Sequence, residues 1–197
     1  MLALQPDSRL AQEQPDRMHA MRGSLAITPN RSQMPQKRSQ VNIKLKIAVL
    51  TIIPLIVIDQ ITKIAVMKGL ALNESMAVIN GFFDLVYFKN PGAAFSLFHS
   101  GGALRTIFLI GTSVVALAII AVLIWQAKDK LTVFCFSLIA GGATGNLIDR
   151  ARFGSVTDFL YFHAGKYYWP AFNVADSGIT VGVAIAFYAF YFRKDKA

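Results

Sequence analysis

Cysteine, histidine and charge are all scarce in this chain of 197 residues, and each scarcity removes a class of function. The single cysteine, Cys135, sits inside an apolar run. No intrachain disulfide or thiolate metal cluster can form from it, and it reads as a small core side chain. The three histidines, His19, His99 and His163, are scattered, and neither His-Glu-x-x-His nor Gly-x-Ser-x-Gly occurs. Zinc and serine hydrolysis therefore lack their residues, and no metal or cofactor is expected. The stretch GGATG from Gly141 to Gly145 is not followed by Gly-Lys-Ser/Thr, so it is not a phosphate loop. The first forty residues have neither the apolar core nor the small-residue cleavage site of a secretory signal peptide, and removal of such a peptide is not expected.

What is present is apolar. Hydrophobic residues make up 54% of the chain against 16% charged, and the mean hydropathy is +0.47. That is too apolar for an ordinary soluble domain, so a bilayer is the expected solvent and membrane lipids the expected surroundings. The net charge of +9 could suit nucleic acid, but the basic residues sit in the N-terminal tail or beside apolar runs, as in a membrane protein, and no nucleic-acid partner is expected.

Residues 1–40 are rich in Gln, Ser, Pro and Arg, with no sustained apolar face to offset the entropy of ordering, and a disordered polar extension is expected there. Met18, Met21 and Met34 within it offer later starts. Residues 41–197 are expected to form one transmembrane domain. Its spans are about 45–67, 104–125, 131–148 and 173–192, each of a length near the ~20 residues that cross a hydrocarbon core. Between the first two, short aromatic and β-branched pieces (AVINGFFDLVYF) broken by Asn-Gly and Asn-Pro-Gly read as a small β-rich extracytoplasmic module. Its aromatic residues Phe82, Phe83 and Tyr87 are candidates to lie on the bilayer surface and cover a substrate. The fold class is thus a mainly α membrane protein. Lys37, Arg38, Lys44 and Lys46 before span one, Lys128 and Lys130 between spans two and three, and Arg193, Lys194 and Lys196 after span four place both termini in the cytoplasm. Lys68, Lys89, Arg105, Arg150, Arg152 and Lys166 on the other face temper that bias.

This topology gathers unusual polar residues at one membrane face: Asp59, Lys63, Asn90, Asn146, Asp149, Arg150, Asp158, Asn173 and Asp176. Charges in or beside spans cost about 2.5–3.5 kcal/mol each at a helix centre, so they call for pairing or function. Asp59 and Lys63, four apart on one helix, most simply neutralise each other. Asp149 and Arg150 read either as a snorkelling interfacial pair or as part of a site. Asp176 could be a first-turn carboxylate and Asp158 a cap. Taken together beside three asparagine amides, the two aspartates point to a site. Gly141, Gly145, Gly178 and Gly182 have the spacing of close helix packing, which would bring Asn146 near Asp176. A small transporter lined by Asp59 and Lys63, and a purely structural protein, stay open as other readings.

Five segments in order carry a further indication: DQITK at Asp59 to Lys63, FKNPGAAFS from Phe88 to Ser96, GGATGNLIDR from Gly141 to Arg150, VTDF from Val156 to Phe159, and FNVADSGI from Phe172 to Ile179. With them the chain resembles lipoprotein signal peptidase, the type II signal peptidase of bacteria, from about Lys44 to Phe192. The resemblance implies an aspartyl endopeptidase of the inner membrane with an extracytoplasmic site, and a monomer is expected. It would act on prolipoproteins whose lipobox cysteine carries diacylglycerol, cleave just before that cysteine, and be blocked by globomycin-type peptides. By motif position it implies Asp158 and Asp176 as catalytic, with Asp59, Lys63, Asn90, Gly142, Asn146, Arg150, Asn173 and Ala175 shaping the site and holding substrate. Which aspartate would be the base stays open.

Overall fold

The computed structural model describes residues 34–92 and 102–192, with side chains from Ser39 onward. The extension expected over residues 1–40 lies outside the described residues as far as residue 33. Residues Met1–Ser39 and Gln40–Ala197 form separate units, and the second carries the architecture below.

Four helices dominate: α1 (Met34–Gly69), α2 (Gly102–Gln126), α3 (Lys130–Phe153) and α4 (Val174–Phe192). All are long and apolar enough to cross a membrane, α1 over Ser39–Gly69. Large apolar side chains point outward along them, including Leu45, Ile61, Ile107 and Phe187, each more than 60% exposed, as lipid-facing helices require. Buried instead are Asp59, Lys63, Asn146, Asp149, Asp158 and Asn173. In water this inversion would not hold. In a bilayer it follows from putting polar groups where protein, rather than hydrocarbon, can satisfy them.

α3 is the most enclosed of the four. It starts on Asp129, whose carboxylate accepts the Thr132 N–H at 3.0 Å, and ends on Gly154, in the left-handed region at φ +68°, whose N–H returns to the Arg150 carbonyl. Its glycines let neighbours in. A Cβ on Gly141 would lie 3.0 Å from Leu55 of α1, and one on Gly142 would collide with the Ala175 carbonyl oxygen of α4. On α4, a Cβ at Gly178 would lie 2.5 Å from Leu55 and one at Gly182 2.8 Å from the Cys135 carbonyl. Small residues thus allow backbone contact where lipid offers no hydrophobic drive to pack. Gly142→Ala is expected to destabilise by about 1–3 kcal/mol and to lower activity, because α4 must move away with Asp176. The control is Gly111→Ala, where a Cβ meets nothing within 4 Å. Thermal unfolding of the two variants in one detergent checks this; equal midpoints would contradict it.

The remaining strands are β1 (Ser75–Ile79), β2 (Phe83–Asn90), β3 (Val156–Ala164) and β4 (Tyr167–Tyr168), in an antiparallel sheet of that order. β1 and β2 form a hairpin whose turn is closed by the Phe82 N–H on the Ile79 carbonyl, with Gly81 at φ +75°. The β-rich module is therefore larger than the first loop alone: the second loop contributes half its strands. Pairing of β2 with β3 sets Phe88 opposite Asp158 and Asn90 opposite Val156. Phe83 stacks on Phe162 at 4.7 Å between centroids, and Phe82 is half exposed beside it. Tyr167, Tyr168 and Trp169 are exposed, as interfacial aromatics are.

Candidate active site

The end of α3, the start of α4 and the strand between them deliver four polar side chains to one point. Asn173 caps α4: its Oδ1 accepts the Asp176 N–H at 2.9 Å, while Asp176 Oδ2 accepts the Asn173 N–H at 3.3 Å. This reciprocal box pins Asp176 in the first turn, where a carboxylate faces the positive end of the helix. Asp176 Oδ1 accepts from Asn146 Nδ2 at 2.8 Å.

Asp158 stands on β3, 3% exposed, and both its oxygens accept amide hydrogens. Asn173 Nδ2 donates to Oδ1 at 2.8 Å and Asn90 Nδ2, from the end of β2, to Oδ2 at 3.0 Å. Asn90 is shaped for this by accepting the Gly92 N–H on its own Oδ1. Asn173 Nδ2 also reaches Asn146 Oδ1 at 3.2 Å and the Thr157 carbonyl at 3.3 Å. Two asparagine amides therefore connect the two aspartates. Burial pushes the Asp158 carboxyl up from 3.8 to about 6; the charge of Asp176 adds to the rise, and the Asn90 and Asn173 hydrogen bonds and the Lys63 charge oppose it.

Beneath lies a buried ionic cluster. Lys63 Nζ is 2.9 Å from Asp59 Oδ2 and 3.1 Å from Asp149 Oδ2, and donates to Asn146 Oδ1 at 3.1 Å. The i, i+4 pairing expected of Asp59 and Lys63 is present, but the lysine serves two carboxylates. Asp149 corrects one expectation: it turns to Lys63 across the helix interface and not to its neighbour Arg150. The reason is depth. Asp149 is 1% exposed, so only a buried cation can compensate it, and Lys63 is the one within reach. Arg150 has no ion pair among the described residues, its Nε has no hydrogen-bond partner among them, and the charges of Asp176, Asp158 and Asp149 act on its guanidinium. Gln60 Nε2 lies 3.2 Å from Asp59 Oδ2, 3.1 Å from Asp149 Oδ1 and 3.2 Å from the Gly145 carbonyl. The Ala175 N–H donates to Asp59 Oδ1 and the Thr157 N–H to Asp149 Oδ2, both at 2.9 Å. Gly145 is glycine because a Cβ would sit 2.6 Å from Asp59 Oδ2.

Of the residues named from the sequence, Asp59, Lys63, Asn90, Asn146, Asn173, Asp158 and Asp176 join one network, with Gly142 and Ala175 at the helix contact beneath it, while Arg150 joins it by no hydrogen bond among the described residues. Two participants escaped the sequence reading. Gln60 lies inside the DQITK segment and Thr157 inside VTDF, so their positions were in view, but nothing in their types marked them. Asp149 was in view, read either as a partner of Arg150 or as part of a site, and its ion pair is with Lys63. Lys89, opposite Thr157, donates to its hydroxyl at 3.0 Å and lies 4.3 Å from the Phe153 ring centroid; burial lowers its pKa from the ordinary lysine value.

Chemically, two carboxylates sharing amide partners in a desolvated setting can divide acid and base work. The family described as signal peptidase (SPase) II matches residues 51–192. The lipoprotein signal peptidase of Desulforapulum autotrophicum is 48% identical over 143 residues, 71% of this chain and 88% of that protein. That of Syntrophotalea carbinolica is 46% identical over 151 residues, 76% and 91%. A solved structure described as a bacterial membrane enzyme, determined by the in meso method, has a TM-score of 0.68 at 28% identity and covers 76% of this chain and 94% of its own. With four membrane-length helices, a buried polar site and this match over most of its length, the chain belongs to the signal peptidase II family of multi-pass membrane peptidases.

Proposed function

We propose that the chain is an aspartyl endopeptidase that removes signal peptides from diacylglyceryl-modified prolipoproteins, cleaving just before the lipidated cysteine at the outer face of the inner membrane. The observation that carries the reading is the amide bridge: Asn173 holds Asp158 and Asn146 holds Asp176, and Asn173 in turn donates to Asn146. Two carboxylates so held cannot both ionise cheaply, and the pair owns the apparent pKa values.

Asp158, raised to about 6, is the acid, and Asp176, facing the helix N-terminus, is the base. Asp176 takes a proton from water as the oxygen attacks the scissile carbonyl carbon. Asp158 gives its proton to the carbonyl oxygen. On collapse, Asp176 passes its proton to the departing nitrogen and Asp158 recovers one from the diol, so both carboxyls return to their starting states. Asn90 and Arg150 lie beside Asp158 and are the groups to hold the substrate backbone. The lipid contributes mainly by fixing the cysteine at the depth of the site, since much of its apolar burial already exists in the bilayer.

Orientation follows from charge. Lys44, whose Nζ reaches the Trp125 carbonyl at 2.9 Å, lies with Lys46, Lys128 and Lys130 at the end of the bundle away from the site. That end is the cytoplasmic one and the site is extracytoplasmic.

The test is cleavage by the purified full chain of a prolipoprotein with and without diacylglycerol, read by mass spectrometry. The lipidated form is expected to be cut before its cysteine. The acid form of Asp158 exists below its pKa, so kcat/KM is expected to fall as pH rises through about 6. Equal cutting of the unlipidated form would remove the substrate assignment, and a profile flat between about pH 5 and 8 would remove the acid role.

A further inference from the structure

Each of the two aspartates follows a residue whose backbone N–H is fixed by a buried carboxylate. Thr157, just before Asp158, donates to Asp149, and Ala175, just before Asp176, donates to Asp59. Both carboxylates meet on one ammonium, Lys63 Nζ, and one amide nitrogen, Gln60 Nε2. The strand carrying Asp158 and the helix carrying Asp176 are separate elements, yet the residue before each aspartate is tied to a carboxylate on the same cation. Thr157 is held at every polar atom: N–H on Asp149, carbonyl on Asn173, hydroxyl on Lys89.

We propose that Asp149 is a positioning residue of the peptidase, tying the Asp158 strand to the Lys63 ammonium that, through Asp59, also tethers the first turn of the Asp176 helix, so that one buried triad sets the separation of the two aspartates. The inference rests on the aspartate-pair reading above. Two opposed carboxylates flanking one lysine would be needlessly costly if their only task were to neutralise it, because a single partner would suffice and a second buried charge must be desolvated. Their second oxygens, or second lone pairs, go to the backbone beside the reacting groups. Reacting groups held this way lose about 100-fold for an error of about 1 Å.

The charge of the triad also reaches the reaction. Asp158 is faced by Asp176 from α4, Lys63 from α1 and Arg150 from α3, with the Asn90 and Asn173 amides on its oxygens. Asp149→Asn keeps an oxygen for the Thr157 N–H but leaves Lys63 with one carboxylate instead of two. The less compensated lysine then favours ionised Asp158, and the alkaline limb moves to lower pH. Gln60→Met removes the shared donor and no charge.

The experiment measures kcat, KM and the pH profile of the full chain on a diacylglyceryl-modified prolipoprotein for wild type, Asp149→Asn and Gln60→Met, with Asp158→Asn and Asp176→Asn as references. Asp149→Asn is expected to lose about 100-fold in kcat with KM within about threefold, and to shift the limb down by about half a pH unit. Gln60→Met is expected to lose about tenfold in kcat with the limb unmoved. If Asp149→Asn does not fold, Gln60→Met decides alone. Wild-type kcat in folded Asp149→Asn and Gln60→Met, with both references inactive, overturns the positioning role and leaves the aspartate pair standing. Active references overturn both.

Discussion

Asp158→Asn and Asp176→Asn should each fold and each lose about 1,000-fold or more in kcat on lipidated substrate, because an amide can neither accept the proton of the attacking water nor return one to the leaving nitrogen. The two losses should not add in the double variant, since the pair acts as a unit. Retention of more than about a tenth of wild-type activity in either single variant would end the aspartyl mechanism. A second measurement on the same protein separates chemistry from collapse. The Asp158 carboxyl is held near 6, above its ordinary 3.8, so the folded state binds a proton more tightly than the unfolded one between those values. Stability from this group is present below about 3.8 and lost as pH rises through about 6. Asp158→Asn removes that loss. Its unfolding midpoint relative to wild type should therefore rise between about pH 4 and pH 8, by an amount on the order of 2–3 kcal/mol. Taking the difference across pH cancels the one hydrogen bond that an amide at 158 forfeits to Asn90 or Asn173.

Lys63→Met should be the most destabilising single change in the cluster, by about 3–5 kcal/mol. The methionine fits the volume. What it cannot do is compensate Asp59 and Asp149, which are 0% and 1% exposed and would be left as two uncompensated carboxylates sharing one Gln60 amide. For a chain of this size the midpoint should drop by roughly 10 °C in thermal unfolding in detergent. Adding Asp149→Asn to Lys63→Met strands one charge instead of two and should recover part of that loss. A Lys63→Met protein within about 1 kcal/mol of wild type would mean the cluster is solvated, and that the positioning role assigned to Asp149 has no rigid base.

Much of the architecture was readable because a bilayer leaves few choices. Long apolar runs can only be helices when every backbone group must be satisfied within its own segment, so α1 to α4 follow from composition and length. The hairpin of β1 and β2 was equally local, signalled by Asn80-Gly81 between β-branched and aromatic residues. β3 was not readable in the same way. Its partner strand, β2, lies some seventy residues away, and the segment Val156 to Ala164 holds no turn of its own to declare a hairpin with it. The site divides similarly. Asp59 and Lys63 are four residues apart on a helix, so their pairing needs only helical geometry, and the mutual capping of Asn173 and Asp176 is likewise local. Asp149 illustrates the other case: adjacent to Arg150 in sequence, it pairs with Lys63 of α1, and its partner is decided by burial and not by proximity along the chain.

From residues alone came the solvent of this protein, the number of its spans, the end of the bundle at which polar groups collect, and the family those groups resemble. These depend on hydropathy and short spacings, which the chain carries in linear order. The tertiary structure decided which carboxylate meets which cation, that two loops build one sheet, and that the N–H groups just before both candidate aspartates meet carboxylates paired with a single lysine. Such choices are made by depth: a charge denied water takes whatever buried partner the close approach of glycine-lined helices brings within reach, however remote that partner is in sequence.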